Sequence, residues 1–427
     1  MPASVRLYGI RVGTLDVARD GRLSFSYESS WLDRADRDPR HHPLSLSLPF
    51  QNEPFDHGFA GPFFDGLLPD NTAVREQLAR HFQVDASDDF ALLYELGADC
   101  PGAITILPEG AEEIPEEHVT PEYHIMPEAE LAGYIKDLPK RPLFVDADGE
   151  LRLSLAGMHH KAALLQVGKN LALPKGRTPT THIIKIDIEG LEDSLRVEHF
   201  CLEIARGVGL DTIKSFVRIA EDVPFLLIAR YDRTVGEIDG KRYVRRLHQE
   251  DFCQAMRRFP REKYEKDGGP GWAECFDLLK HTVDPATSRL ELLRRAIFQF
   301  LIGNPDAHAK NYSLVYRADG IHLSKLYDVN NAAAFRANYK EQRPRLAMFV
   351  GGERDPTALT RDHWTRFARD VEIRPAIVHE ELLNMAKKMI TAVPEVRKSF
   401  AGTEADTKLL DLAVDDILER SRRVVDW

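Results

Sequence analysis

One short polar segment in the last third of the chain holds residue types that can transfer a phosphoryl group. It reads GNPDAHAKNYSL and places Asp306, His308, Lys310 and Asn311 directly after an apolar run. Asp306 and Asn311 have the D-x4-N spacing of a kinase catalytic loop. In such a loop the aspartate orients or deprotonates the attacking hydroxyl. Lys310 is suited to steady the transferring phosphoryl group.

A second carboxylate follows this segment after a turn and a strand. Asp328 lies in LYDVNN, downstream of the RADG turn and of IHLSKL. Amide and carboxylate oxygens are hard ligands suited to Mg²⁺, so Asn311 and Asp328 are the predicted metal ligands. The alternative is a polar loop whose Asp and Asn side chains only cap turns. We interpret His308 as a structural histidine that braces the loop, because no HxxxH pair or cysteine partner suggests zinc.

Phosphoryl transfer also needs positioned phosphates and neutralised charge, which upstream segments could supply. In LSLAGMHHKAAL, the residues Ser154, Ala156 and Gly157 let the backbone approach a phosphate closely. Lys161 could add positive charge there. Taken alone, a turn between two strands with an exposed lysine is the simpler interpretation of this segment.

Two further segments could bind the rest of a nucleotide. Lys185 lies in the apolar strand HIIKI, and Glu198 lies in the helix that follows. A lysine in such a strand usually extends its amine to solvent. The alternative is a lysine that points into a cleft and is paired by the helix carboxylate. In PFLLIARYDR, the backbone at Ala229 could bind an adenine edge beside the ring of Tyr231, although an ordinary core strand explains that segment alone.

Composition limits the classes of protein to which this chain can belong. It has 427 residues, a net charge of −11, 43% hydrophobic residues and 29% charged residues. These values indicate a folded protein of two or three domains whose surface as a whole binds nucleic acid poorly. No stretch reaches the roughly eighteen apolar residues of a membrane helix. The start lacks a signal peptide's apolar core, and the scattered cysteines favour reduced core thiols, so we expect a cytoplasmic protein that makes no contact with membranes.

The order of patterns predicts an α+β protein. We predict an N-terminal β-rich domain over 1–110, an acidic linker over 111–145, a strand-rich lobe over 146–235 and a mostly helical lobe over 236–427. In the first domain, Asp70 is the predicted N-cap of a helix. A strand-rich lobe followed by a helical lobe is the architecture of a bilobal kinase core.

Taken together, these segments resemble the HipA family of bacterial serine/threonine kinases, the toxin halves of HipBA toxin–antitoxin systems. The motifs that carry the resemblance run through nearly the whole chain: FFDGLLPDN, LGADCPGAI, LSLAGMHHKAALL, HIIK, VEHFCLEIA, RLHQEDFCQAM, KYEKDGGPGW, IGNPDAHAKNYSL and LYDVNN. The resemblance implies ATP and Mg²⁺ as cofactors. It also implies three kinds of partner: a small helix-turn-helix antitoxin dimer, operator DNA bound mainly through that antitoxin, and a protein substrate such as an aminoacyl-tRNA synthetase.

The resemblance also implies roles for single residues. Asp306 would be the catalytic base, Asn311 and Asp328 the Mg²⁺ ligands, and Lys185 a contact of the ATP phosphates. The backbone from 154 to 161 would form a phosphate loop. Ser154 occupies the position that HipA kinases autophosphorylate, a modification that in the family ejects the loop and switches the enzyme off.

Two residues depart from the family pattern. The family commonly has Gln followed by Glu or Pro just before the phosphate-loop lysine, where this chain has His159 and His160. Because imidazoles titrate near neutrality, the charge beside the loop becomes sensitive to pH. The departure therefore bears on ATP affinity and on the phosphorylation of Ser154.

Two other functions are compatible with parts of this sequence. A pseudokinase could act only as a co-repressor with its antitoxin, but the set Lys185, Asp306, Asn311 and Asp328 is intact. Antibiotic and lipid kinases share a similar catalytic loop, but the N-terminal domain and the Ser154 phosphate loop favour a protein kinase.

Overall fold

The computed structural model describes residues 2–34, 38, 40–112, 114–139, 161–238, 241–338 and 344–427. Most of the predicted phosphate loop, including Ser154, Ala156, Gly157, His159 and His160, lies outside the described residues. Lys161, the last residue of the loop, is described and begins a strand.

In its described residues, the N-terminal domain has a four-stranded antiparallel sheet and four α-helices. The strands are β1 (Ala3–Leu7), β2 (Ile10–Val17), β3 (Leu23–Tyr27) and β4 (Ile104–Pro108), in the order β3-β2-β1-β4. The helices are α1 (Ser29–Leu32), α2 (His57–Asp65), α3 (Thr72–Phe82) and α4 (Asp89–Leu96). Strand β3 buries every second side chain, Leu23, Phe25 and Tyr27, as expected when one face of a sheet covers a core. The strands and helices of this domain share one apolar core.

The prediction that Asp70 caps α3 is wrong, because Asn71 holds that position. The Asn71 side-chain oxygen accepts hydrogen bonds from the backbone N–H groups of Ala73 at 2.9 Å and Val74 at 3.4 Å. Asp and Asn are both strong N-caps, so two neighbours compete for one helix end. Asp70 instead forms ion pairs with Lys263 and Lys310, described below.

Among the described residues, a six-stranded antiparallel sheet forms the strand-rich lobe. Its strands are β5 (Glu122–Ile125), β6 (Lys161–Val167), β7 (Asn170–Lys175), β8 (His182–Lys185), β9 (Ser215–Ala220) and β10 (Val223–Ala229), in the order β5-β7-β6-β8-β10-β9. Helices α5 (Glu128–Asp137) and α6 (Ser194–Gly207) pack on its opposite faces. Along β10, Phe225 and Leu227 pack with α5, whereas Leu226 and Ile228 pack with α6, since side chains alternate across a strand.

The prediction of a linker does not hold for residues 122–137, which form β5 and α5. Strand β5 pairs with β7, where Glu122 lies opposite Lys175. The acidic character of this part reflects the start of α5, where Glu128 and Glu130 lie in the first turn, and negative charge is favourable at a helix N-terminus. The domain boundaries themselves remain a prediction.

The remainder of the chain is mainly helical, but it opens with a strand hairpin that the sequence did not predict. A hairpin of β11 (Arg233–Ile238) and β12 (Lys241–Arg246) precedes a three-stranded sheet of β13 (Gln249–Asp251), β14 (Ser313–Arg317) and β15 (Gly320–Leu323). The helices are α7 (Phe252–Ala255), α8 (Trp272–Leu278), α9 (Pro285–Ile302), α10 (Arg361–Asp370), α11 (Pro375–Phe400) and α12 (Leu409–Val425). None of the helices in the described ranges combines the length and apolar character needed to cross a membrane. All four cysteines are buried free thiols, as predicted.

Candidate active site in the cleft between the lobes

Strands β6 and β8 place two lysines side by side in the cleft. Lys161 and Lys185 are direct cross-strand partners, and both line the cleft. The Lys185 ammonium lies 2.8 and 3.0 Å from the two carboxylate oxygens of Glu198 on α6, and 2.7 Å from Asp328 Oδ1. The predicted pairing of Lys185 with Glu198 is confirmed. We call Lys161, Lys185, Glu198 and Asp328 the strand-side cluster.

The two lysines of this cluster have opposite pKa shifts. Desolvation lowers the pKa of Lys161 to about 8, and the like charge of Lys185 contributes to the decrease. Desolvation also disfavours the charge on Lys185, but Asp328 and Glu198 outweigh it and raise the pKa of Lys185 above its usual value. Lys185 is therefore charged at neutral pH, whereas Lys161 loses its charge as pH rises through about 8.

Asp328 reaches the cluster from an uncommon backbone conformation. Its φ of 56° lies in the left-handed region, which Asp tolerates better than most residues. Non-glycine residues in this region are frequent at functional sites. The preceding residues are fixed to the strand-rich lobe, because the Leu326 N–H donates to Asp211 O at 2.8 Å and the Ile213 N–H donates to Leu326 O at 3.0 Å. The fold thus holds Asp328 at the junction between the lobes.

The loop after α9 is held by its own hydrogen bonds. The Asp306 carbonyl oxygen accepts from the His308 N–H at 2.9 Å and from Asn311 Nδ2 at 2.7 Å. Since the amide nitrogen of Asn311 is used in this way, its amide oxygen is the atom that remains to bind a cation. The Asp306 side chain is 47% exposed and accepts a hydrogen bond from the Tyr264 hydroxyl. An acceptor hydroxyl can therefore reach Asp306.

The protonation states in this loop suit a general base. Desolvation raises the pKa of Asp306; the Tyr264 hydrogen bond opposes that rise and the charge of Asp328 adds to it. A raised pKa brings a carboxylate closer to the range in which a base works best. Desolvation and the charge of Lys263 lower the pKa of His308 to about 3, so this ring is neutral. It packs edge-on against Tyr264 with 5.0 Å between ring centroids, which agrees with a bracing role.

Part of the cleft wall is apolar and could accept a flat ring. The side chains that form it are Ile183, Ile213 and Ile228. Ala229 and Tyr231 also line the cleft. Tyr231 stacks on Tyr327 with 5.7 Å between ring centroids, and its hydroxyl donates to Gln249. Fixed apolar walls beside a strand terminus suit a purine.

A second group of charged residues, which the sequence did not predict as a group, lies beside the loop. Asp70 Oδ1 lies 2.7 Å from the Lys310 ammonium, and Asp70 Oδ2 lies 3.1 Å from that of Lys263. Asp251 lies 3.8 Å from Lys310. We call Asp70, Asp251, Lys263 and Lys310 the loop-side cluster. Sequence reasoning missed Asp70, Asp251 and Lys263 as site residues, although each lies in one of the quoted motifs, LPDN, QEDF and KYEKDGG.

The structure brings the described candidate residues into one cleft. Its lining includes Lys161, Lys185, Glu198, Ala229, Tyr231, Asp306, Lys310, Asn311 and Asp328. Ser154, Ala156 and Gly157 lie outside the described residues, so their placement stays a prediction. Lys310 pairs with Asp70, and its contact with a transferring phosphoryl group also stays a prediction.

Comparison with known proteins identifies relatives along the whole chain. The family model of the HipA-like C-terminal domain matches residues 153–396, and that of the HipA N-terminal domain matches residues 3–107. The chain is 36% identical over 419 residues to the candidate kinase Y4mE of Sinorhizobium fredii, covering 97% of this chain and 96% of that protein. It is 27% identical over 365 residues to the serine/threonine-protein kinase toxin HipA of Shewanella oneidensis, covering 83% of this chain and 81% of that protein.

A solved structure confirms the predicted architecture. The Shewanella oneidensis HipA chain, solved with HipB and its operator DNA, superposes with a TM-score of 0.83 at 24% identity. The match covers 100% of this chain and 99% of that chain, so the N-terminal domain and both lobes have counterparts. With the two family matches, these similarities show that the chain belongs to the HipA family of kinases.

Proposed function

We propose that this protein is an ATP- and Mg²⁺-dependent protein serine/threonine kinase that acts as the toxin of a toxin–antitoxin system. One observation carries the proposal: Lys185, Glu198, Asp306 and Asp328 converge on a single cleft, with Lys185 bonded to both Glu198 and Asp328. A lysine–glutamate pair, a base and a distal aspartate are the parts that phosphoryl transfer requires. A pseudokinase would have no need to keep all of them.

The contacts of the residues support the role that we propose for each. Asp306 accepts the proton of the attacking hydroxyl, because its carboxylate is exposed to the cleft while its backbone is fixed. Lys185 and Lys161 provide the positive charge that holds phosphate oxygens. The oxygen atoms of Asn311 and Asp328 are a donor set suited to Mg²⁺. When bound, Mg²⁺ and ATP supply charge neutralisation and the phosphoryl group.

We further propose a helix-turn-helix antitoxin as the partner and operator DNA as a ligand of the complex. Shewanella oneidensis HipA was solved with HipB and operator DNA. The net charge of −11 disfavours tight DNA binding by this chain alone. In gel-shift assays, the complex with a basic helix-turn-helix antitoxin should bind the operator tightly and the lone protein should not. Tight operator binding by the lone protein would contradict this part of the proposal.

Phosphoproteomics after induced expression tests the kinase and toxin functions together. The matched control is the Asp306→Ala variant, which keeps the fold and lacks the base. We expect growth arrest and new phosphoserine or phosphothreonine sites with the wild type only, among them a site on an aminoacyl-tRNA synthetase or another translation protein. Growth arrest by both proteins, with identical phosphoproteomes, would overturn the proposal.

We also propose that Ser154 phosphorylation switches the enzyme off. A phosphoserine adds close to two negative charges, which a cleft that binds phosphates and holds Asp306 and Asp328 would repel. Ser154→Ala should keep phosphoryl transfer and lose the off-switch. Intact-mass spectrometry with ATP and Mg²⁺ tests this: if peptides with Ser154 stay unmodified while a substrate is phosphorylated, the switch is refuted and the kinase assignment stands.

A further inference from the structure

The loop that carries Asp70 is fixed against the helical lobe. It joins α2 to α3, and Gln254 of α7 donates a hydrogen bond from Nε2 to the Phe63 carbonyl oxygen at 2.9 Å. A Cβ atom on Gly66 would lie 2.7 Å from Gln254 Cγ, so the approach of the loop to α7 depends on glycine. The N-terminal domain therefore presents Asp70 to the cleft at a defined position.

The carboxylate of Asp70 is shared between two lysines of the helical lobe. One oxygen binds Lys310 and the other binds Lys263, at 2.7 and 3.1 Å. The exposed fractions of the Asp70, Lys310 and Lys263 side chains are only 8%, 4% and 10%. Desolvation acts to raise the pKa of Asp70, but the charges of Lys310 and Lys263 outweigh it and hold that pKa well below its usual range. The same ion pair raises the pKa of Lys310, so Asp70 and Lys310 are both charged at neutral pH.

Both lysines belong to segments that adjoin the base. Lys310 lies in the same loop as Asp306. The Lys263 carbonyl oxygen accepts a hydrogen bond from the Ala309 N–H at 3.3 Å, and the next residue, Tyr264, donates to Asp306. Asp70 thus binds the two segments that position Asp306, across 193 and 240 residues of sequence. Buried ion pairs are weak evidence for stability because desolvation is costly, so we look for the role of Asp70 in the geometry of the site.

We propose that Asp70 is a positioning residue for phosphoryl transfer, through which the N-terminal domain completes the active site. The inference rests on the proposed function and extends it to a domain outside the kinase core. Without the negative charge of Asp70, Lys263 and Lys310 are two neighbouring buried cations with fewer carboxylate partners. They repel each other, and the loop that carries Asp306 moves from its productive position.

The test compares three variants of the full-length protein. Asp70→Asn removes the negative charge and keeps the shape of the side chain. Asp70→Glu keeps the charge and shows whether a conservative change restores activity. Asp65→Asn is the matched control, because Asp65 is a buried carboxylate of the same domain that pairs with Arg75, and Arg75 retains Asp89 at 2.7 Å. Transfer of labelled phosphate to a heat-inactivated bacterial extract gives the maximal rate and the KM for ATP. Thermal unfolding shows whether each variant is folded at the assay temperature.

We expect Asp70→Asn to lower the maximal rate roughly a hundredfold, the size of effect that a small misplacement of a catalytic group produces. The KM for ATP should change by less than about twofold, because the ion pairs of Asp70 are with Lys263 and Lys310. Its charge acts on Lys161 of the strand-side cluster less than the charges of Lys185 and Asp328 do. Asp70→Glu should recover part of the rate, and Asp65→Asn should keep it. If Asp70 only stabilised the fold, Asp70→Asn and Asp65→Asn would both have lower thermal stability, and their maximal rates would not differ.

A second readout does not depend on activity. Acylation of lysine amines, followed by mass spectrometry, should modify Lys263 and Lys310 slowly in the wild type and Asp65→Asn. It should be roughly tenfold faster in Asp70→Asn, because each amine then loses one charged hydrogen bond. Equal labelling of wild type and Asp70→Asn, or equal maximal rates in folded protein, would overturn the role of Asp70. A wild type that transfers no phosphate, yet shows the expected labelling difference, would overturn the proposed function and the positioning role of Asp70. It would not overturn the ion pairs that hold the lysines.

Discussion

The strand-side and loop-side clusters lie in the same cleft and have similar chemistry, but the chain builds them in different ways. In the strand-side cluster, Lys185 and Glu198 come from adjacent elements and are only 13 residues apart. In the loop-side cluster, Asp70 and Lys310 are 240 residues apart and belong to different domains. The first cluster is local to one lobe except for Asp328. The second exists only when the N-terminal domain is docked.

This difference suggests that the two clusters have different functions in the site. The strand-side cluster has the cations that phosphates need and one lysine whose pKa is about 8. The loop-side cluster balances two lysines against Asp70 and Asp251, so it adds little net charge and acts on geometry. Changes to the strand-side cluster should therefore alter ATP binding, and changes to the loop-side cluster should alter the rate of the chemical step.

The largest effects are expected from substitutions of the proposed base and of the proposed metal ligand Asp328. Asp306→Ala removes the proposed base, and Asp328→Ala removes a proposed metal ligand and a partner of Lys185, so each should lower transfer by roughly a thousandfold or more. Asn311→Ala should weaken transfer less, and high Mg²⁺ should restore part of it. Phosphate transfer from labelled ATP measures all three. Folding of these variants should be little affected, because cleft carboxylates add little packing energy. A folded Asp306→Ala or Asp328→Ala variant that transfers phosphate at the normal rate would contradict the prediction.

A smaller effect, confined to ATP binding, is expected from Glu198→Gln. Lys185 would lose its partner on α6 and move toward Asp328, so the KM for ATP should rise roughly tenfold, as for loss of one charged hydrogen bond. The matched control is Glu203→Gln on the same helix, since Glu203 pairs with Arg206 outside the cleft. If Glu198→Gln lowers only the maximal rate and leaves the KM unchanged, the division between the clusters is wrong.

Tyr264→Phe should change the pH dependence of phosphate transfer, because Tyr264 contacts the proposed base Asp306. The Tyr264 hydroxyl donates to Asp306 and lowers the pKa of that carboxyl relative to what desolvation alone would give. A base must be deprotonated, so activity is lost as pH falls through its pKa. Removing the hydroxyl raises that pKa, and the loss of activity should begin at a higher pH. A pH–rate profile measures the shift, and an unchanged acid limb would contradict this role for Tyr264.

The smallest effect concerns the affinity for ATP in mildly alkaline solution. Because the pKa of Lys161 is lowered to about 8, its positive charge is lost as pH rises through that value. Binding of a fluorescent ATP analogue should weaken a few-fold between about pH 7 and about pH 9. Lys161→Arg should remove most of this dependence, since arginine stays charged. Equal pH dependence in both proteins would show that another group titrates.

Some of the site could be predicted from sequence because its chemistry is local. The D-x4-N spacing of Asp306 and Asn311, and the strand-then-helix order of Lys185 and Glu198, each lie within one or two elements. The pairing of Lys185 with Glu198 follows from that order. The bilobal fold could be predicted because the hydrophobic period changes along the chain.

The rest depends on contacts that periodicity does not encode. Asp70 and Asn71 are equally good N-caps for α3. Asp70 forms ion pairs with lysines of the helical lobe, and Asn71 caps the helix. The acidic segment that contains β5 and α5 has the composition of a linker, yet pairing with β7 folds it onto the sheet. Tertiary pairing decides both cases, so one sequence read alone gives the wrong answer for each.

The proposed kinase activity is tested by phosphoamino-acid analysis of proteins labelled by the purified enzyme with γ-labelled ATP and Mg²⁺. Wild type is compared with Asp306→Asn, which keeps the shape of the side chain and loses the base. We expect labelled phosphoserine or phosphothreonine with wild type and almost none with Asp306→Asn, although both should bind the fluorescent ATP analogue equally. Equal labelling by the two proteins, or no labelling by a wild type that binds ATP, would contradict this expectation.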